Sequence, residues 1–339
     1  MPTVSVAICA FNAAPYVHSA LASVAAQSRP PDEVVFVDDG SSDGTAAIAE
    51  DWCGRLPLKV IRSSSNGGVG SARRSAIEAS TGDLVVLLDA DDYWFPDHLE
   101  VLCGAYERHG GIVTAVNYRW VAGAKTGTRP STSLIPVPPP ERQAVAILEA
   151  NFVFSGSLFS RDLYDRVGGV RDDVSSEDWD LWIRMIQSGA RVTAAPTVTM
   201  LYRQHPAAVS SGESLTRGDV ALLEQVAATS AGTARRRAKR ALRRQQARVL
   251  MLDGYDQIRA GRIAAGRRTM ALAVITDRNL RRATSYWGGC VTLRAAACVV
   301  APRKALAVRD ARRTDPDIRV GTGRDRPWLG ALPRSRAST

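Results

Sequence analysis

Leu84-Val85-Val86-Leu87-Leu88-Asp89-Ala90-Asp91-Asp92 is the stretch that most restricts what this chain can become. Five apolar residues in succession, after Gly82-Asp83, read as a short strand covered on both faces. The run ends in three carboxylates within four residues. Charges packed that closely repel one another and raise each other's pKa. A divalent cation removes the conflict, and a hard cation prefers carboxylate and phosphate oxygens. Alternatively, Asp91 and Asp92 cap the following helix, where Asp is favoured.

The residues before this stretch repeat one theme. Val4 to Ala10, Glu33 to Val37 and Leu58 to Ile61 read as strands. Between them lie a helical pattern through Val17, Leu21, Val24 and Ala25 with Pro15 in its first turn, and a second helix over Ala46 to Trp52 with Asp43 as its cap. Asn66-Gly67-Gly68-Val69-Gly70 leads into a third helix, Ser71 to Ser80. Strands alternating with helices predict a doubly wound, mostly parallel sheet. Ligands of such sheets bind beyond the C-terminal strand ends. Asn12, Asp39, the glycine loop and the Asp89 cluster all fall at those ends.

Those residues resemble a known family. Val4 to Asn12, Val37-Asp38-Asp39-Gly40-Ser41-Ser42-Asp43 and Leu88-Asp89-Ala90-Asp91-Asp92 look like the three N-terminal signatures of family 2 glycosyltransferases, inverting enzymes with a GT-A fold. The resemblance covers roughly residues 3–208. It implies a nucleotide-sugar site made of Ala10, Asn12, Asp39, Asn66, Gly68, Arg73, Asp89, Ala90 and Asp91, with Asp39 at the base. It implies Asp91, Asp92 and His205 around Mg²⁺ or Mn²⁺, the histidine coming from Tyr202-Arg203-Gln204-His205-Pro206. Where the family often shows Ala-Arg-Asn-x-Gly, this chain has Ala72-Arg73-Arg74-Ser75-Ala76.

Further on, Asp97 to Arg108 reads as a helix, Ile112 to Tyr118 as one strand, Gly123 to Pro140 as a surface loop and Glu141 to Ala150 as a helix. Asn151 to Ser157 resembles the family's acceptor-side segment, with Gly156 and Ser157 in it. Ser160 is placed to cap a short helix. Ser176-Glu177-Asp178-Trp179 opens another, with Ser176 as its cap. Acids in a first turn complement the helix dipole. The resemblance makes Asp178 the catalytic base and puts Glu177 and Trp179 on the acceptor side. Arg191 to Ala194 and Val198 to Tyr202 read as strands.

Charge divides the chain. Residues 1–210 hold 17 Lys and Arg against 24 Asp and Glu, a net of −7, whereas the remainder holds 27 against 10, a net of +17. From Thr216 the pattern is helical, with a thin stripe of Ala238, Ala241, Leu242, Val249 and Leu252 among arginines. A second helical stretch is expected from Leu250 to Ala273 and a third from Trp287 to Val308. A basic amphipathic surface suits an anionic membrane. No nucleic-acid recognition motif accompanies it, and nucleic acid is not an expected partner. Residues 309–339 are poor in apolar side chains and are expected to be disordered.

The expected organisation is a GT-A domain over 1–210, with a nucleotide-sugar half (1–112) and an acceptor half (113–210). A basic helical extension over 211–308 and a tail over 309–339 follow. The five scattered cysteines form no Cys-x-x-Cys pair, which argues against zinc and for reduced thiols in the cytoplasm. No basic segment precedes the first apolar run, so no signal peptide is expected. The apolar run Ala295 to Ala301 is too short to span a bilayer, leaving peripheral attachment to the inner face as the expectation. The expected activity is transfer of a sugar from a nucleotide diphosphate, UDP above all, to a hydroxyl of a glycan or lipid-linked acceptor in polysaccharide or cell-surface glycan synthesis. Two alternatives remain. A sugar-phosphate nucleotidyltransferase is disfavoured by Ala10-Phe11-Asn12-Ala13, which is not a glycine-rich loop with a basic residue. A non-catalytic nucleotide-sugar or lipid-binding module is disfavoured by the coexistence of Asp178 and the Asp89 cluster.

Overall fold

The computed structural model describes residues 1–121, 130–174, 176–205 and 213–277. Its N-terminal part alternates β1 (Val4–Ala10), α1 (Ala14–Ala25), β2 (Glu33–Asp38), α2 (Thr45–Glu50), β3 (Leu58–Arg62), α3 (Val69–Glu78) and β4 (Leu84–Asp89). The four strands pair in parallel in the order β3-β2-β1-β4. Parallel strands covered on both faces need unbroken apolar runs, and Leu84, Val85, Val86 and Leu88 are all at most 1% exposed. Burying each such side chain contributes about 1.5–3 kcal/mol.

The chain then turns through β5 (Tyr93–Trp94) into α4 (His98–His109), β6 (Ile112–Thr114) and β7 (Asn117–Val121). The expected single strand Ile112 to Tyr118 is thus two strands in two sheets. Ala115 and Val116 carry the chain across, both buried. Next come α5 (Ser131–Leu134), α6 (Pro140–Ala146), β8 (Leu158–Ser160), α7 (Arg161–Arg166), α8 (Glu177–Gln187), β9 (Val192–Ala194) and β10 (Met200–Gln204). β8 pairs antiparallel with β4 and β6, and β9 extends the main sheet to seven strands, β3-β2-β1-β4-β8-β6-β9. A small sheet, β5-β10-β7, brings the chain after β4 beside the chain before His205.

Three helices follow, α9 (Glu213–Thr229), α10 (Gly232–Arg259) and α11 (Ile263–Asp277). The break falls at Ala260-Gly261, with Gly261 at φ +78°, and not near Leu250 as the pattern predicts. Leu222 and Leu223 of α9 and Ala241 of α10 share one core with Trp179, Ile147 and Phe152. The later half of α10 packs with α11 through Ala247, Met251, Met270 and Ala273. Gly254 permits that approach, since a Cβ there would meet Met270 Cγ at 2.7 Å. Among the described residues no helix is long and apolar enough to cross a membrane. The expected third helical stretch, the tail and residues 123–129 of the expected Gly123–Pro140 loop lie outside the described residues, and the rest of that loop carries the short helix α5.

Two predicted caps differ. Gly44 occupies the cap position of α2, while Asp43 accepts from the Thr45 amide at 3.1 Å and its hydroxyl at 2.5 Å. Ser176 stands at the cap of α8 but makes no capping bond. Ser160 does cap α7, accepting from the Leu163 amide at 3.2 Å.

Candidate active site

The parallel register sets the site. Ala10 lies opposite Asp38, and Cys9 opposite Asp89, so the loops after β1, β2 and β4 leave the sheet at one edge. Asn12 adopts φ +48°, a left-handed conformation that Asn tolerates. Its side-chain oxygen accepts from the Ser42 amide at 3.0 Å, and its own amide donates to Ser41 Oγ at 2.8 Å. Asp39 is buried, and its two oxygens accept from the Gly67 and Gly68 amides, each at 2.9 Å. Asn66 Oδ1 accepts from the same Gly68 amide. Gly68, at φ +89°, lets the loop fold onto Asp39 before entering α3. Asp39 and Asn66 thus shape the glycine loop.

α3 aims Arg73 inward. Its guanidinium donates to Asp89 Oδ1 at 2.9 Å and to Glu177 Oε1, joining the end of β4 to the first turn of α8. The departures from the family pattern point elsewhere. Arg74 pairs with Asp172 at 2.5 Å on the surface, and Ala76 is packed in the core.

The segment before β8 closes the other side. Ser155 Oγ donates to Asp89 Oδ2 at 2.8 Å, and Asn151 Nδ2 donates to Asp178 Oδ2 at 3.3 Å. Both lie in the segment Asn151 to Ser157 that resembles the acceptor side, but neither is among the site residues the resemblance implies, since a lone Ser or Asn in a loop carries no periodic signal. Gly156 at φ +81° leaves no room for a side chain, because a Cβ would sit 2.5 Å from Met200 Sδ. His98, fully buried against Trp94, bonds Thr199 Oγ1 at 2.9 Å and the Gly156 carbonyl at 3.1 Å. Two residues expected on the acceptor side face inward. Ser157 is wholly buried and bonds Thr114 and the Phe154 carbonyl. Trp179 is buried too, its indole donating to the Ile147 carbonyl at 2.8 Å. Both are held within the core by these bonds.

Burial raises the pKa of Asp178, with Arg73 and the Trp179 amide opposing it and Asp89 adding to it. Burial also pushes Glu177 up, to about 7, against the pull of Arg73. Cys9 lies beside Arg73, but burial lifts its thiol to about 12, so it is no nucleophile.

The carboxylates after β4 diverge. Asp91 Oδ2 meets His205 Nε2 at 2.9 Å, and His205 stacks on Tyr16 with ring centroids 4.6 Å apart. Burial, then the neighbouring charge of Asp89, raises Asp91 above the usual carboxylate range. Asp92 instead points into the interior. It is wholly buried, and one oxygen accepts from the Arg203 amide at 2.9 Å. Arg203 is itself held by the Asp91 carbonyl at 2.7 Å and lies over the Trp120 and Tyr16 rings. The expected trio of metal ligands therefore does not gather. Among the described residues no group of three His, Cys, Asp or Glu is arranged for a metal. Asp91 and His205 do converge. A carboxylate with an imidazole suits Mn²⁺ or Mg²⁺ when substrate phosphates complete the coordination. That donor pair fits the ion without Asp92.

A mostly parallel sheet, loops gathered at its C-terminal edge and a small second sheet beside the carboxylates define a GT-A fold. The model of the family described as Glycosyl transferase family 2 matches residues 5–168, just under half of the chain. The chain is 32% identical over 204 residues to the succinoglycan biosynthesis protein ExoU of Rhizobium meliloti, covering 56% of this chain and 58% of that one. The structure resembles Staphylococcus aureus TarS 1-349 in complex with UDP-GlcNAc, with TM-score 0.59, 17% identity and 91% of each chain covered. It also resembles the mannosyltransferase PcManGT from Pyrobaculum calidifontis in complex with GDP-Man and Mn²⁺, with TM-score 0.54, 24% identity, and 91% and 81% covered. These two likenesses concern the fold.

Proposed function

We propose an inverting transfer of a sugar from a nucleotide diphosphate, UDP by preference, to a hydroxyl of a glycan or lipid-linked acceptor. One observation carries the reading. Arg73 ties Asp89, at the donor edge of the sheet, to the α8 turn that bears Asp178. Asn12, the glycine loop and Asp89 would hold the nucleotide sugar. Asp178, oriented by Asn151, takes the proton of the attacking hydroxyl. The hydroxyl oxygen then displaces the diphosphate at the anomeric carbon from the opposite face. A divalent ion at Asp91 and His205 would neutralise charge growing on the leaving diphosphate. A polysaccharide product agrees with the relative named for succinoglycan synthesis.

Donor binding is expected to require that ion. Asp91→Asn keeps the fold, since the carboxylate is 26% exposed and bonded only at its tip, but it should weaken UDP binding in Mn²⁺. Isothermal calorimetry checks this. Equal UDP affinity with Mn²⁺ and with a chelator would remove the metal from the reading.

We also propose that the basic helices meet an anionic membrane. α10 exposes Arg235, Arg236, Lys239, Arg240 and Arg243, spaced along one side at helical intervals. Its opposite side is buried through Ala238 and Ala241, with Arg237 held by Glu149 at 2.6 Å. Such a stripe attracts anionic headgroups and is screened by salt. The protein should sediment with phosphatidylglycerol vesicles at low salt and leave them in 1 M salt, where the screening length is about 3 Å. Glutamate at 235, 239 and 243 together should prevent binding. Recovery of that variant with the vesicles would exclude α10 as the contact.

A further inference from the structure

α8 begins in an unusual way. Its first turn already carries Glu177, Asp178 and Asp180, and Asp180 is paired with Arg184 at 2.7 Å. The helix dipole is therefore well complemented from within. Yet a fourth carboxylate, Asp219 of α9, approaches the same turn. Ser176 is 1% exposed at the cap position and would ordinarily accept from an amide of α8. It donates instead to Asp219 Oδ1 at 2.7 Å. The other oxygen of Asp219 accepts from Gln245 Nε2 of α10 at 3.1 Å. Leu222 and Leu223, one turn along α9, join the core that holds Trp179, so the contact rests on a packed surface.

We propose that Asp219 is a positioning residue for Asp178: it pins the start of α8 through Ser176 and ties that turn to α10 through Gln245. This rests on the transferase reading above, and it gives the helices after residue 212 a share in the chemistry. The groups facing Asp178 are Arg73 from α3, Asp89 from the end of β4, Asn151 from the segment before β8, and Glu177 beside it. Those facing Asp219 are Ser176 and Asp178 from α8 and Gln245 and Arg248 from α10. Burial lifts Asp219 to about 6, the Ser176 bond and Arg248 pull it down, and the charge of Asp178 pushes it up. A base held by a fixed helix start meets the acceptor's proton in one geometry, which is where the tether acts on the chemistry.

Asp219→Ala and Ser176→Ala remove the tether from its two ends in the full chain. Each should lower kcat while donor KM stays unchanged, and the double variant should lose no more than either single one. Asp219→Asn keeps an oxygen that can accept from Ser176 and should recover most of kcat. Carbon-detected NMR of the Asp178 carboxyl, its signal assigned by its loss in Asp178→Asn, reads the same contact without substrate: the signal should shift in Asp219→Ala and return in Asp219→Asn. A wild-type kcat in Ser176→Ala overturns the proposal, as does an unmoved Asp178 signal in Asp219→Ala. If wild-type protein turns over no nucleotide sugar, the transferase reading fails, and the Asp178 signal still decides whether Asp219 positions it.

Discussion

Asp178→Asn should lower sugar transfer by about 10²-fold or more while leaving UDP affinity as it is. The carboxylate is fixed by Asn151 and by the Trp179 amide, at 3.3 and 2.6 Å. Asn has the same shape and keeps one oxygen, which serves the Trp179 amide, so the helix start should hold while the longer contact to Asn151 is lost. It cannot take a proton from the acceptor. Because the base acts only in the chemical step, the loss belongs in kcat and not in donor binding. The wild-type enzyme should lose activity as pH falls through the raised pKa of Asp178, above the ordinary value of 3.8. That limb should vanish from the residual activity of the variant. Single-turnover transfer and calorimetry with UDP measure the two quantities. Wild-type turnover in Asp178→Asn would remove Asp178 as the base.

The doubly wound half is legible in the sequence because its signals are local. Leu84 to Asp89 is an unbroken apolar run bounded by Gly82 and a carboxylate, and Asp39, Asn66 and Gly68 are turn formers at strand ends. Pairing across the sheet was less visible. Ile112 to Tyr118 reads as one strand because periodicity cannot show that two halves of a run join different sheets. The site divides in the same way. Arg73, Asp89, Asp91 and Asp178 announce themselves by charge next to apolar runs. Asn151 and Ser155 act only because β8 returns antiparallel beside β4 and brings their loop to Asp89. Asp92 misled for a related reason, since adjacent acids in a sequence can point in opposite directions. Asp219 lies more than forty residues from Ser176, and only the packing of α9 against α8 joins them.

Arg73→Leu should destabilise the fold by about 3–5 kcal/mol, the usual cost of removing one partner from a buried ion pair. Arg73 is 9% exposed, Glu177 4%, and the Asp89 carboxylate is partly open to solvent. Without the guanidinium, Glu177 is left buried beside Asp178 with no counter-charge. Its pKa is already raised to about 7 with Arg73 present, and losing that cation must raise it further. An acid whose folded pKa exceeds its unfolded value makes the fold bind more protons than the unfolded chain. Stability then falls as pH rises from the unfolded pKa, 4.5 for Glu177, through the folded one. The deficit of Arg73→Leu should accordingly be small near pH 5 and grow towards pH 8. Adding Glu177→Gln should recover part of it at pH 8 and little at pH 5. Urea denaturation at the two pH values measures each difference. A deficit that is equal at both, and that Glu177→Gln does not relieve, would mean that Arg73 stabilises by packing its stem and not by holding the carboxylates together.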